Sequence, residues 1–238
     1  MNPRHYRIKR HVGLVYRTHY KLVINRNSCD ILDLPMDTVT IIFSIVILIL
    51  SIMFHELAHG TVADRLGDPT PRLRGRLTLN PFAHLEFVGS FLVPLMCIVS
   101  GAGFIVGWAK PVPFTVAHLK YKRWGPALVA AAGPAMNLAI AVICAVLFKF
   151  IYASGLNMSL ASLLAQVVIV NISLALFNLL PIPPLDGHHI LGSVIPKFRE
   201  WSDRVMQRYG IILLVGILLV AGRLIGPLVA WLAQILLL

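Results

Sequence analysis

Apolar residues in this chain gather into a few long runs, and the polar positions inside those runs are sparse. From Val39 to Met53 only Thr40, Ser44 and Ser51 are polar, and further apolar runs cover 125–148, 158–180 and 209–238. Each approaches the roughly 20 residues with which a helix crosses the hydrocarbon core of a bilayer. A fifth stretch, 88–106, is broken by Gly89, Pro94, Gly101 and Gly103 and suits a re-entrant or surface-lying element better than a span. The pattern predicts an all-α polytopic membrane protein with about four to six membrane-embedded helices. The first helix is expected from about Asp37, with Asp37 or Thr38 as its N-cap, to Leu66, with Gly67 as its stop. Others are expected over 125–153 and 158–180, the latter ended by Pro181, Pro183 and Pro184, with a polar connection over 185–207. Gly107 to Pro113, reading GWAKPVP, cannot be helical through two prolines and predicts a short extended or β element near the membrane surface. The chain thus divides into an arm (1–37), a membrane core (38–190) and a C-terminal connection with a last membrane helix (191–238).

Composition agrees with the pattern. The 238 residues are 58% hydrophobic and 13% charged, with a mean hydropathy of +0.80, which belongs to a bilayer rather than to a soluble domain. The first 37 residues are too long and polar for a signal peptide, and no small-residue cleavage site follows the first apolar run, so that run is expected to stay as an anchor. Cys29, Cys97 and Cys144 are scattered, which points to neither a disulfide framework nor a thiolate metal site. The net charge of +11 sits mainly in the arm and the polar connections. Anionic headgroups of the lipid bilayer are therefore the expected partner, and nucleic acid is not, since no recognised module accompanies the charge.

The chemistry is concentrated at HELAH, 55–59. Histidines at i and i+4 share one helix face, so both imidazoles can reach a single zinc ion, and Glu56 beside them is a natural general base for a zinc-held water. Two histidines and a glutamate inside an apolar helix are costly enough to imply function. A catalytic zinc site needs a third protein ligand. Asp186, just after the prolines that halt a membrane helix, is a candidate, although an aspartate there could instead cap a turn. His188 and His189 are rivals. Asp64, Asp68, His84 and Glu86 stand nearer HELAH in sequence but in or beside an Arg-rich connection, where solvated or ion-paired roles are expected.

HELAH, then AAGPAMN at 131–137, then NLLPIPPLDG at 178–187 resemble the motifs of the site-2 proteases, which cut substrates within the membrane; the resemblance covers roughly 38–190. It implies a zinc metalloendopeptidase of the short form without PDZ or CBS domains, with one Zn2+ per chain held by His55, His59 and Asp186. It implies Glu56 as catalytic base and Asn178 as a catalytic polar group near the oxyanion or the substrate backbone. Gly133 and Pro134 are expected to serve close helix packing. Asn137 and the residues Trp108, Lys110, Pro111 and Val112 of GWAKPVP are expected to bind substrate, the extended segment by offering an edge to an unwound peptide. The implied partners are a transmembrane protein or peptide substrate and the bilayer, and the implied location is the cell membrane, crossed several times. The long basic arm and Glu86, where many relatives would have aspartate, depart from the pattern. A zinc carrier or sensor using the same ligands is the alternative; it would call for a second metal site along a path, and inverted repeats are absent.

One topological condition follows. If 88–106 and 125–148 both crossed the bilayer, HELAH and Asp186 would lie at opposite membrane faces. The segment 88–106 is therefore expected not to span, with 65–124 on one side. The basic residues there and in 197–208 favour a cytoplasmic position for that side, while the basic arm opposes it.

Overall fold

The structure is a computed structural model that describes residues 38–92, 95–96 and 110–238. The arm, the Asp37 cap and Trp108 lie outside the described residues, as do 93–94 and the rest of 97–109. Helix α1 is Thr38–Arg65, α2 is Gly125–Ser154, α3 is Met158–Asn178, α4 is Asp186–Val194 and α5 is Pro196–Leu237. Ile41–Arg65, α2 and α3 are each long and apolar enough to cross a membrane. The expected span 209–238 is part of α5, a single 42-residue helix, whose described apolar part, Arg223–Leu237, is shorter than a span. The connection expected over 185–207 is helical in both halves, because Asp186 opens α4 and Pro196 takes the first position of α5, where its missing N–H costs nothing.

The helices meet through small side chains. Ala141 and Ala145 on α2, Ala161 and Ala165 on α3 and Ala233 on α5 let the backbones approach, and Phe148, Val168, Ile172 and Val229 fill the space between them. Ile42 and Val46 on α1, and Ile143, Val146 and Phe150 on α2, point outward as a lipid-facing surface.

Helix α1 stops as Gly67 predicts. The Gly67 N–H donates to the Asp64 carbonyl and that of Asp68 to the Ala63 carbonyl, both at 3.0 Å, with Gly67 at φ +99; this is the paired bonding of a glycine C-cap. The connection that follows is closed at its base. The Lys120 N–H donates to the Leu66 carbonyl at 2.8 Å. Asp68, fully buried rather than solvated, accepts from Thr70 Oγ1 and the Thr115 N–H at 2.5 Å each, from the Thr70 N–H at 3.0 Å and from His118 Nδ1 at 3.2 Å. The connection thus leaves and returns at one end of the bundle, as the topological condition required. Asp64 forms a surface ion pair with Arg72.

Burial pushes the Asp68 carboxyl up, but its bonds from Thr70, Thr115 and His118 outweigh this and hold it below the usual range. A lowered folded-state value stabilises the fold above the unfolded value of about 3.9 and is lost as pH falls through the folded one. Asp68→Ala strands these donors and is expected to destabilise the protein by about 1–3 kcal/mol at neutral pH, with a smaller difference below about pH 3. Thermal unfolding in detergent at the two pH values checks this; a gap that does not narrow in acid would contradict it.

Residues 110–115 form neither helix nor strand, with Thr115 extended at φ −115, ψ 109, and no strand forms among the described residues. The expected β element is an unpaired run because Pro111 and Pro113 remove two of the donors that a ladder needs. The run is tied down at Lys110, whose N–H donates to the His84 carbonyl at 2.8 Å, and at Thr115.

Candidate metal centre

His55 and His59 lie one turn apart on α1, with relative exposures of 6% and 8%. Their rings stand edge to face, centroids 4.5 Å apart. Each ring is oriented by α2. His59 Nδ1 donates to the Val129 carbonyl at 2.7 Å and His55 Nδ1 to Asn137 Oδ1 at 2.6 Å. A carbonyl oxygen only accepts, so both Nδ1 atoms carry the proton and both Nε2 lone pairs face the site. Pro134 removes one rung of the helical ladder close to the carbonyl that His59 uses.

Asp186 arrives from the other side at the first position of α4. A Cβ on Gly187 would stand 2.3 Å from the Leu179 carbonyl oxygen and 2.4 Å from that of Leu180, so only glycine lets α4 start this close to the end of α3. Leu185 packs among Phe177, Leu180 and Ile182 behind it.

Asp186 Oδ2 stands 3.2 Å from His55 Nε2 and 3.3 Å from His59 Nε2, and the two Nε2 atoms are 3.0 Å apart. Ligands about 2.0–2.1 Å from a tetrahedral zinc stand about 3.3 Å from one another, close to these separations. The chemistry fits too. Two imidazole lone pairs facing each other repel unless a cation lies between them, and buried Asp186 Oδ2 has no hydrogen-bond donor. These three are the only group of metal-ligating side chains of this kind among the described residues.

The rivals turn elsewhere. His188 bonds through Nδ1 to the Leu185 carbonyl at 2.5 Å and lies 3.8 Å, ring to ring, from His189. Burial, reinforced by His188, pushes His189 down to about 4, so it is neutral at physiological pH. His84 is buried in the connection, bonded through Nε2 to the Thr78 carbonyl at 3.0 Å.

Glu56 is half-buried, and its Oε2 accepts the Val112 N–H at 2.8 Å. Val112 is itself buried, while Lys110 and Pro111 beside it are exposed. Asn178 lies in the last turn of α3 and donates through Nδ2 to the Leu174 carbonyl at 3.0 Å. Asn137, expected to bind substrate, lies inside the helix bundle. It is fully buried, bonded to His55 on one side and to Asn171 on the other. Asn171 is fully buried as well. The Val112 bond to Glu56 and the Val129 bond to His59 escape sequence reasoning because both partners are backbone atoms.

The model of peptidase family M50 matches residues 148–221, a stretch that includes Asp186. The chain is 38% identical over 176 residues to "Putative zinc metalloprotease YwhC" of Bacillus subtilis, an alignment covering 71% of this chain and 77% of that protein. It is 32% identical over 180 residues to MJ0611 of Methanocaldococcus jannaschii (68% and 83%) and 28% over 174 residues to Rip2 of Mycolicibacterium smegmatis (72% and 64%), which carry the same description. No solved structure matches the chain.

Proposed function

Because the chain belongs to peptidase family M50, the site-2 protease family, and is a zinc metalloprotease of the membrane, we propose that it hydrolyses peptide bonds within or beside the transmembrane segments of other membrane proteins. The observation that carries this reading is the meeting of His55, His59 and Asp186 beside Glu56 on a membrane-spanning helix. The cell membrane is the location that goes with it.

His55, His59 and Asp186 would hold a zinc ion, which would lower the pKa of a water to about 7 and polarise a carbonyl. Glu56 takes a proton from the attacking water and passes it to the leaving amine. The Val112 N–H, donating to Oε2, fixes the position of the Glu56 carboxylate. Asn178 offers charge stabilisation to the developing oxyanion, since an amide nitrogen carries two N–H groups and its bond to Leu174 uses one. The substrate must unwind first, because a helix shields its own peptide bonds. The segment 110–113 supports that step: its N–H groups are either engaged or absent at proline, while its carbonyls accept no hydrogen bond from the described residues. Those carbonyls would take the N–H groups that an unwinding peptide exposes.

Purified, zinc-loaded protein in liposomes, offered a panel of single-span substrates, is expected to cut within the span. Glu56→Gln, at matched zinc content, is expected to lose activity by about 10²–10⁴-fold or more. Zinc crossing the liposome membrane without cleavage, equally in both proteins, would overturn the reading in favour of a carrier.

A further inference from the structure

We propose that Asn137, Asn171 and Ser51 form a one-way hydrogen-bond relay that sets the tautomer and orientation of His55, with Asn137 as its positioning residue; this rests on reading His55, His59 and Asp186 as the zinc ligands. The relay runs from His55 Nδ1 to Asn137 Oδ1 at 2.6 Å, from Asn137 Nδ2 to Asn171 Oδ1 at 2.9 Å, and from Asn171 Nδ2 to Ser51 Oγ at 2.9 Å. Asn137 and Asn171 are fully buried and Ser51 is 4% exposed. The path leaves α1 at His55, crosses α2 and α3, and returns to α1 one turn earlier.

Its direction is dictated from the far end. Asn171 Nδ2 also donates to the Val167 carbonyl at 2.9 Å, which can only accept. The nitrogen of Asn171 must therefore face Val167, which turns its oxygen to Asn137. That in turn presents the Asn137 nitrogen to Asn171 and its oxygen to His55. His55 Nδ1 must then carry the proton, and its Nε2 lone pair is left for the metal. His59 gets the same instruction in one step, from the Val129 carbonyl. Outer-shell partners of this kind hold a ligating imidazole in its tautomer and raise its basicity. A reversed Asn137 amide would aim an N–H at His55 and spoil the ligand.

Buried asparagines can also serve simply as glue between membrane helices, and the two roles separate by experiment. Zinc affinity is measured by competition with a chromophoric chelator, the ligand field by the visible spectrum of the Co2+-substituted protein, and stability by thermal unfolding, for wild type, His59→Ala, Asn137→Leu, Asn137→Asp and Asn171→Ala. Asn137→Leu removes the acceptor for His55 and is expected to weaken zinc binding about 10–100-fold and to shift the Co2+ bands. Asn137→Asp restores an acceptor and is expected to bind zinc within about threefold of wild type, although it cannot donate to Asn171. Asn171→Ala leaves Asn137 in place but frees its amide to turn over; a weakening of about threefold to tenfold is expected, and it serves if Asn137→Leu does not fold. Wild-type zinc affinity and Co2+ spectrum in Asn137→Leu, or in Asn171→Ala where the former does not fold, would overturn the relay and leave glue. Equal weakening in Asn137→Asp and Asn137→Leu would overturn it too. A wild type whose zinc binding does not depend on His59 would bring down the ligand assignment itself, and the relay with it.

Discussion

Gly133→Ala is expected to abolish zinc binding, and with it proteolysis, while leaving the helices formed. A Cβ at this position would stand 2.4 Å from His59 Nε2, 2.5 Å from His59 Cε1 and 2.6 Å from His55 Cε1. Relief by moving the rings is blocked, because both are held through Nδ1 by acceptors on α2, the helix that carries Gly133. Moving α2 away would break those same two bonds. Alanine is the better helix former by about 1 kcal/mol, so a loss cannot be charged to helix propensity. Zinc content by atomic absorption, alongside far-ultraviolet circular dichroism, checks the outcome: helix signal unchanged and metal near zero. Wild-type zinc content in Gly133→Ala would mean that the imidazoles do not pack on this glycine when the metal is bound.

Asp186→Asn is expected to weaken zinc binding by more than the roughly 10–100-fold that loss of an outer-shell partner costs, since it removes the one anionic ligand. The amide is nearly isosteric, so α4 should start as before. His188→Ala and His189→Ala are expected to keep the metal, because neither ring joins the three ligand atoms. The comparison is made by zinc titration of the three variants at one pH. Loss of zinc in His188→Ala with retention in Asp186→Asn would reverse the assignment.

Much of this was legible along the chain. The bounds of α1, α2 and α3 follow from apolar run length and from Gly67 and the prolines after 180, because in a bilayer a helix must satisfy its own backbone hydrogen bonds. HELAH could be read as a ligand pair because both histidines belong to one helix, where spacing alone decides which side chains share a face. The surroundings of Asn137 were not legible in this way, because whether a polar side chain in an apolar helix faces a cavity or a neighbouring helix is settled by which helix packs there; here it meets His55 and Asn171.

The membrane class, the spanning helices, and the pair His55 and His59 with Glu56 between them were written in the order of residues, since each depends on residues within a few positions of one another. It took the packing of the helices to bring Asp186, rather than His188 or His189, up to the two imidazoles, to seat Gly133 against them, to carry the Val112 N–H to Glu56 and to run the hydrogen bonds from His55 back to Ser51. Those contacts join residues far apart in sequence, through backbone atoms and amide orientations that depend on how three helices approach one another.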